Sequence, residues 1–591
     1  MKTKGTTAAG AAILLCGLGA WSAVGETIER DVVIYGSSPA AFTAAIEAQR
    51  LGKTAVIVSP ETRMGGLTTG GLGQTDIGNK SAFGGLALQF YRDIADYYKD
   101  PANWTHEKRS DYVPDGQCAG SLGEDSMWTF EPSAALKVLG EWEKKHGLDI
   151  RRGRRLCRER GKVKCEGEGE RRRIVSFETE DGGVYAGQMF VDATYEGDLM
   201  AAAGVEYVVG REANAEYGET ISGIEKRAAK NHQLEKGVDP YVVKGDPTSG
   251  LLPRIEPYDP NEKDGDGDRR VQAYCFRMCL TDDPANRIPF AKPANYNPLD
   301  FELLLRNLEA MDPKVFGAHA KDYWVYMPWI NSRMPNRKTD TNNRTGFSTD
   351  FIGGNWRWAE GSYEERERIL KAHLDYQRGL MWTLANHPRV PEPIRREVGR
   401  WGTCRDEFTD GLGDGWQRQL YVREARRLVG MTKMTEHHCR GDETVAHPVA
   451  MGAYGMDSHN VRRYVGADGF VHNEGNVEDY NRYSEWGERA HLLDKDWRKN
   501  RFPPYGVDYG AIVPKKGDCG NLFVPVCLSA THMAFGSIRM EPVFFALGQV
   551  AGAASALSID AGVAVQDLDY ARLRKRLLEG GQVISNRKDR Q

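Results

Sequence analysis

Histidine and arginine side chains in the C-terminal third of the chain are its best candidates for proton transfer and anion binding. His459 lies in the polar segment 454–460. An imidazole titrates near neutrality, so His459 is the best single candidate for a general acid or base. Arg423 and Arg426 could bind an anionic substrate through paired hydrogen bonds. Structural roles, as a buried histidine and as an ion-paired helix surface, fit these residues equally well.

Two glycine-rich segments near the N-terminus could hold a dinucleotide. The first has Gly36, Ser38 and Ala41 where a dinucleotide-binding turn has three glycines. The second, residues 64–73 (MGGLTTGGLG), lets the backbone lie close to a flat ligand. Together they favour FAD over a nicotinamide cofactor. From these segments and the strand that separates them, the predicted cofactor contacts are Gly36, Ser37, Ser38, Pro39, Ala40, Ser59, Gly65, Gly66, Leu67, Thr68, Gly71 and Gly73.

A strand–turn–helix–strand unit must position these segments. Residues 31–35 form an apolar run typical of a buried parallel strand, 40–51 predict a helix, and 53–58 predict a second strand. Ser59 follows that strand, where an acidic residue usually binds ribose hydroxyls, and Glu61 comes two positions later. The predicted fold class is therefore α/β, with a Rossmann-type dinucleotide-binding domain.

Six blocks of sequence carry a family resemblance. They are DVVIYGSSPAA, RMGGLTTGGLG, FVDATYEGDLMAAAGV, VQAYCFRMCLT, LYVREARRLVG and GSIRMEPVFFALGQVAGAA, spread over residues 31–557. The chain resembles the FAD-dependent oxidoreductase family of exported bacterial flavoproteins. Some members of this family are labelled xanthan lyase, and it is distantly similar to heterodisulfide reductase. The resemblance implies a glutathione-reductase-like FAD/NAD(P)-binding domain interrupted by an inserted α+β substrate domain.

The resemblance also implies how the C-terminal part closes the cofactor site. A loop over residues 529–539 would pass the flavin and lead into a small-residue helix over 541–557. His532 and Arg539 would then orient substrate, although Arg539 could instead form a salt bridge with Glu541. Further cofactor contacts are expected in this loop and at the end of the strand that returns to the nucleotide sheet, namely Ala193, Thr194, Gly536 and Ser537.

Changes in composition suggest the domain limits. We predict a signal peptide at 1–25, a first part of the FAD domain at 26–210, an inserted substrate domain at 211–415 and a second FAD part at 416–591. The polar stretch 335–355 lacks an apolar pattern and is a candidate substrate lid.

The N-terminal segment predicts export to the periplasm or the extracellular space. Lys2 and Lys4 precede an apolar run, and Ala23 and Gly25 suit a signal-peptidase site. No later stretch is predicted to span a membrane. Of ten cysteines, nine would remain after cleavage, so at least one thiol is unpaired within a monomer, and the sequence leaves the pairing open.

The net charge and the spacing of histidines argue against nucleic acid and metal ions as ligands. The net charge is −4 and no basic block is interleaved with aromatic residues, so nothing indicates nucleic-acid binding. We predict no metal site, because His437 and His438 are adjacent and would point apart in an extended segment.

These observations predict an FAD-dependent oxidoreductase. A hydride would pass between flavin N5 and a small polar substrate, carbohydrate-derived compounds included. His459 or His532 would handle the proton, and Arg539 with Arg423 and Arg426 would orient the substrate. A flavin-containing carbohydrate lyase or hydrolase is the alternative function, and a non-catalytic binding protein is a further one. The sequence leaves the substrate, the electron acceptor and the oligomeric state open.

Overall fold

The computed structural model describes residues 26–114, 125–312, 329–479 and 504–585. The predicted signal peptide therefore lies outside the described residues and stays a prediction. The strands are β1 (Thr27–Tyr35), β2 (Ala55–Val58), β3 (Asp149–Arg151), β4 (Val163–Glu166), β5 (Arg173–Glu178), β6 (Val184–Asp192), β7 (Tyr207–Val208), β8 (Ile255–Glu256), β9 (Met278–Thr281), β10 (Arg287–Ile288), β11 (Trp329–Met334), β12 (Lys338–Asn343), β13 (Gly402–Cys404), β14 (Arg427–Leu428), β15 (Pro448–Gly452), β16 (Met456–Asp457), β17 (Arg462–Val465), β18 (Val471–Glu474), β19 (Glu478–Asp479), β20 (Tyr505–Asp508) and β21 (Leu522–Phe523). The helices are α1 (Pro39–Arg50), α2 (Gly66–Thr69), α3 (Gly85–Tyr97), α4 (Pro132–His146), α5 (Asp198–Ala202), α6 (Asn214–Tyr217), α7 (Leu299–Ala310), α8 (Tyr363–Asn386), α9 (Glu392–Arg400), α10 (Glu436–Arg440), α11 (His532–Ile538), α12 (Glu541–Ala561) and α13 (Tyr570–Glu579).

The main sheet has the order β3-β2-β1-β6-β5-β4, with β21 beside the C-terminal half of β6. Strands β3, β2, β1, β6 and β21 run parallel, whereas β4 and β5 pair antiparallel. The carboxyl ends of β1, β2 and β6 therefore meet at one edge, where doubly wound sheets bind dinucleotides. This topology confirms the predicted α/β class with a Rossmann-type domain.

Helix α12 is the central helix of this domain and packs against α1. A Cβ added to Gly548 would lie 2.3 Å from the Ala40 carbonyl oxygen, and one added to Gly552 would lie 2.3 Å from that of Ala44. By length and hydropathy, α12 is the one described helix that could cross a membrane, a feature that we did not predict. However, 89% of its apolar window is buried in the protein, as expected of a core helix.

A second, antiparallel sheet of order β10-β13-β9-β12-β11 lies within residues 278–404, inside the predicted insertion. One prediction for this region is wrong. The polar stretch 335–355, predicted to be a lid, instead contains the buried strand β12. The predicted domain boundaries themselves stay a prediction.

Close contact between α1 and α12 predicts that Gly548→Ala will destabilise the fold. The added Cβ would overlap the backbone of Ala40, and overpacking of this kind typically costs about 1–3 kcal/mol. Thermal unfolding should show a lower midpoint than in the wild type. The matched control is Gly140→Ala in α4, where a Cβ meets nothing within 4 Å and alanine should be neutral or mildly stabilising. Equal midpoints for both variants would contradict the tight packing.

Candidate functional site

The turn after β1 lies directly against the end of β6. Gly36 has φ +138°, and a Cβ there would lie 2.4 Å from the carbonyl carbon and oxygen of Ala193. The Ser38 hydroxyl donates a hydrogen bond of 2.7 Å to that same oxygen. Helix α1 then begins at Pro39 with no acidic residue in its first turn. The positive end of its dipole thus faces the sheet edge without a nearby carboxylate of its own, as an anion site requires.

The second glycine-rich segment packs against this turn. The Gly65 amide donates to the Ser37 carbonyl oxygen at 2.7 Å, and the Leu67 amide donates to the Tyr195 hydroxyl at 3.0 Å. Residues 66–69 form the short helix α2, and Gly65, Gly66 and Gly71 have positive φ angles. The sequence therefore predicted the two segments but not that they lie side by side.

Glu541, the first residue of α12, fastens the second segment to the end of β6. Its carboxylate accepts hydrogen bonds from the Thr68 hydroxyl at 2.8 Å and from the Tyr195 hydroxyl at 2.9 Å. Burial raises the pKa of Glu541 to about 7. Sequence reasoning missed the roles of Glu541 and Tyr195. The only available signals were their places in the blocks EPVFFALG and DATYEGD.

A cavity of about 400 Å³ opens at the carboxyl ends of β1, β2 and β6. Its described lining is mixed in polarity and is formed by Tyr35, Ser37, Pro60, Glu61, Arg155, Thr194, Tyr195, Glu196, Asp198, Trp358, Tyr363, Arg366, Glu367, Leu370, Arg418, Gln419 and Leu420. The Ser59 hydroxyl bonds the Glu61 backbone at 2.8 and 3.1 Å and is absent from this lining. Of these two residues, it is Glu61 that lines the cavity at the expected ribose position, and burial raises its pKa.

Three arginines surround the ring of Tyr421. The guanidinium carbons of Arg423, Arg277 and Arg539 lie 4.5, 5.4 and 5.5 Å from the ring centroid. Arg539 also donates to the Tyr421 hydroxyl at 2.8 Å. Arg277 reaches the glycine-rich segment, because a Cβ on Gly71 would lie 2.1 Å from the Arg277 carbonyl oxygen. We call these four residues the arginine–tyrosine cluster.

Two aspartates connect His459 to the cluster. Asp350 lies 2.9 Å from His459 Nδ1 and 2.9 Å from Arg423 Nη2. Asp457 lies 3.6 Å from His459 Nε2 and 3.3 Å from Arg539 Nη2. Burial opposes ionisation of Asp350, but Arg423 and His459 outweigh it and lower its pKa to about 2. The structure thus brings together three of the predicted residues, His459, Arg423 and Arg539, and adds the carboxylates that hold them.

Arg426 and His532 lie elsewhere, so the structure does not bring Arg426 together with Arg423, and their predicted roles stay predictions. Arg426 pairs with Asp198 at 2.8 Å, beside the cavity rather than in the arginine–tyrosine cluster. His532 Nδ1 lies 2.9 Å from Glu424, and both side chains are buried. Residues 417–426 form no helix, and most of their side chains are buried.

The predicted flavin-facing loop 529–539 is also wrong in form, because most of it is the helix α11. A Cβ on Gly536 would lie 2.6 Å from the Asp457 carbonyl oxygen, and Ser537 donates to the Tyr454 carbonyl oxygen. Both residues pack against the segment that carries His459, and their predicted cofactor contact stays a prediction. Arg539 pairs with Asp457 rather than with Glu541.

Comparison with known proteins identifies one family. The model of the family described as FAD dependent oxidoreductase matches residues 31–577. No curated protein matches the chain.

The similarity of this chain to solved structures is weaker than its match to the family model. A flavin-containing monooxygenase from Stenotrophomonas maltophilia is 18% identical, with 33% of this chain and 44% of that one covered and a TM-score of 0.17. The OxyS anhydrotetracycline hydroxylase from Streptomyces rimosus is 12% identical, with 35% and 41% covered and a TM-score of 0.21. A 3-ketosteroid dehydrogenase from Rhodococcus jostii is 13% identical, with 38% and 63% covered and a TM-score of 0.21. The chain covers less than two thirds of each, and TM-scores at this level carry no argument about activity.

The pKa of Glu541 predicts a pH-dependent stability. Burial raises this pKa from 4.5 to about 7, so the folded state holds the proton more tightly than the unfolded state. The stabilisation is complete below about pH 4.5 and is lost as the pH rises through 7. The full effect is about 3 kcal/mol. Glutamine is a neutral isostere of the carboxyl group. In Glu541→Gln, the thermal midpoint should therefore depend less on pH between about 4.5 and 7 than it does in the wild type.

The matched control for Glu541→Gln is Glu166→Gln, on an exposed position of β4. It should leave the slope unchanged. If both variants keep the wild-type slope, the carboxyl of Glu541 does not titrate with folding.

Proposed function

The chain belongs to the FAD dependent oxidoreductase family, and we propose that it oxidises or reduces a small, neutral, polar substrate by hydride transfer with its FAD. FAD supplies the two-electron carrier when it is bound. The observation that carries the proposal is the chain of contacts from Gly71 through Arg277 and Tyr421 to Arg423, Arg539 and His459. It links the predicted flavin segment to a group that can exchange protons.

The residues at the sheet edge fit FAD. Gly36 permits the tight loop between β1 and α1, and the first helical turn of α1 contains no acidic residue. Ser37, Thr194 and Glu61 line the adjoining cavity, and a carboxylate is the usual partner of ribose hydroxyls. Residues 65–73 would hold the flavin half. The cavity volume of about 400 Å³ lies within the range for small-molecule sites.

Charge balance at the arginine–tyrosine cluster favours a neutral substrate. Its three guanidiniums each face an aspartate, through the pairs Arg277–Asp340, Arg423–Asp350 and Arg539–Asp457. The buried carboxyl of Asp76 also interacts electrostatically with Arg277 and Arg539. The cluster therefore has no excess positive charge to attract an anion. Among the described residues, one buried N–H-bearing nitrogen of each arginine has no hydrogen-bond partner: Arg277 Nη1, Arg423 Nε and Arg539 Nε. These donors suit hydroxyl or carbonyl oxygens, such as those of a carbohydrate-derived compound.

His459 is the proposed general acid or base. A proton on Nδ1 would be donated to Asp350 at 2.9 Å, which fixes the ring and leaves Nε2 able to accept a proton from a substrate hydroxyl. Asp457, 3.6 Å from Nε2, would stabilise the imidazolium that results. Arg423 and Arg539 would orient the substrate oxygens. Arg426 is left out of this assignment because it pairs with Asp198.

The substrate proposal is tested with purified holoprotein under anaerobic conditions. Neutral sugars and polyols are compared with their carboxylate counterparts, and loss of the yellow flavin absorbance is followed. We expect bleaching by neutral compounds and little by the acids. Preferential bleaching by the acids would overturn the charge argument. Sugar cleavage with the flavin still oxidised would instead favour the lyase alternative.

Cofactor binding yields a mutational prediction. Gly36→Ala should lose most bound FAD, because the new Cβ meets the Ala193 backbone and the turn must shift. FAD released by denaturation is quantified per protein chain. The control is Gly147→Ala, which also has a positive φ but whose Cβ meets nothing within 4 Å. Full FAD content in Gly36→Ala would refute the assignment of the turn.

The two histidines can be separated by mutation. His459→Gln should slow flavin reduction by at least about tenfold, about 1.4 kcal/mol, while FAD content stays unchanged. His532→Gln is the matched control, because His532 also pairs with a buried carboxylate but contacts Glu424 rather than Asp350 or Asp457. Single-turnover reduction in a stopped-flow instrument measures both. If only His532→Gln is slow, the roles are reversed.

A further inference from the structure

Two cysteines of the second sheet lie opposite one another on neighbouring strands. Antiparallel β9 and β13 pair Thr281 with Gly402 and Leu280 with Thr403, so the next pair in register is Cys279 with Cys404. Residues directly opposite in such a ladder have Cα atoms about 4.5–5.5 Å apart, which is within the span of a disulfide. The two sulfur atoms are 3.8 Å apart, although the residues are 125 positions apart in the chain.

Among the described residues, no third thiol lies beside this pair. Both side chains are fully buried and form a small apolar cluster with Met334 and Phe408. Among the described residues, no second pair of cysteines has sulfur atoms this close together. Cys275, which lies four residues before Cys279, instead approaches Arg423 at 3.6 Å.

We propose that Cys279 and Cys404 are oxidised to a disulfide that cross-links β9 and β13. The oxidant would be a disulfide-bearing compound or a dithiol–disulfide oxidoreductase. One cysteine thiolate attacks an oxidant sulfur and releases one oxidant thiolate. The second cysteine thiolate then displaces the other, so two thiols lose two protons and two electrons and one S–S bond forms. The predicted export signal would bring the chain to a compartment where such bonds persist.

Burial determines when the bond can form. It raises the pKa of both thiols, so the reactive thiolate is scarce once the strands are packed. Access for an oxidant is also lost, because both residues are inaccessible to solvent. The bond therefore forms during folding, when β9 and β13 have paired but the cluster is still open.

The cross-link would stiffen the strand that supports the arginine–tyrosine cluster. On its other side β9 pairs with β12, where Asp340 lies opposite Cys279. Asp340 binds Arg277, one of the three arginines around Tyr421. This structural consequence does not depend on the identity of the substrate.

Peptide mapping tests the proposal. The full-length protein is secreted through an oxidising compartment, purified without reductant, alkylated in denaturant and digested. We expect mass spectrometry to find the Cys279 and Cys404 peptides joined and two hydrogens lighter than the free thiols. A reductant should also lower the thermal midpoint of the wild-type protein, because it reopens a long loop.

Two variants complete the test. In Cys404→Ala, Cys279 should be alkylated, and the reductant should no longer shift the midpoint. In Cys165→Ala, which alters a cysteine on β4, the linked peptide should persist. Alkylation of both Cys279 and Cys404 in the secreted wild-type protein, or a link from Cys279 to another cysteine, would overturn the proposal. The wild-type map decides alone if Cys404→Ala fails to fold.

Discussion

Most of the buried guanidinium groups are paired with a carboxylate, and this pairing organises the centre of the molecule. Side chains that are almost fully buried form the pairs Arg211–Glu474, Arg277–Asp340, Arg366–Asp198, Arg423–Asp350 and Arg427–Glu212. Removing one partner of such a pair typically costs about 3–5 kcal/mol, because an uncompensated charge stays behind. Most of these pairs join segments that are distant in sequence, so they align the predicted insertion with the two parts of the nucleotide-binding domain.

The same pairs give the candidate site its shape. Arg423 cannot turn toward a ligand freely, since Asp350 and the Tyr421 ring hold it, and Arg539 is held by Asp457 and the Tyr421 hydroxyl. Such a site is preorganised: its dipoles and charges are fixed before a substrate arrives, which favours catalysis over broad affinity. Stability and site geometry therefore rest on the same contacts, and a substitution at either aspartate would disturb both.

Local sequence patterns predicted those helices and strands whose formation depends on local interactions. The β1–α1–β2 unit was predicted at 31–35, 40–51 and 53–58, and α12 at 541–557, each within a few residues of its observed bounds, because turn chemistry and apolar runs specify them. His459, Arg423 and Arg539 were found as candidates from residue type and family resemblance. The aspartates that pair with these three residues were not predicted. Asp350 lies in a stretch interpreted as a substrate lid, because burial of polar side chains through long-range pairs leaves no periodic signal. The helix α11 was predicted as a loop because the family resemblance implied a flavin-facing loop there.

The two histidine–carboxylate pairs differ in how a proton could leave them. His532 and Glu424 are enclosed. The backbone amide of His532 donates to Glu212, and the backbone amide of Gln272 donates to Glu424. On the proposed function, a proton accepted by His459 must reach solvent between turnovers. Its Nε2 faces Asp457, whose side chain is 15% exposed and which is electrostatically linked to the half-buried Glu478. Burial and Asp457 raise the pKa of Glu478 to about 7, so this carboxyl can both take up and release a proton near neutrality. Among the described residues, the path from Nε2 through Asp457 to Glu478 thus leads toward solvent, whereas the His532 pair is enclosed. This difference supports the proposal that His459, rather than His532, is the acid–base group.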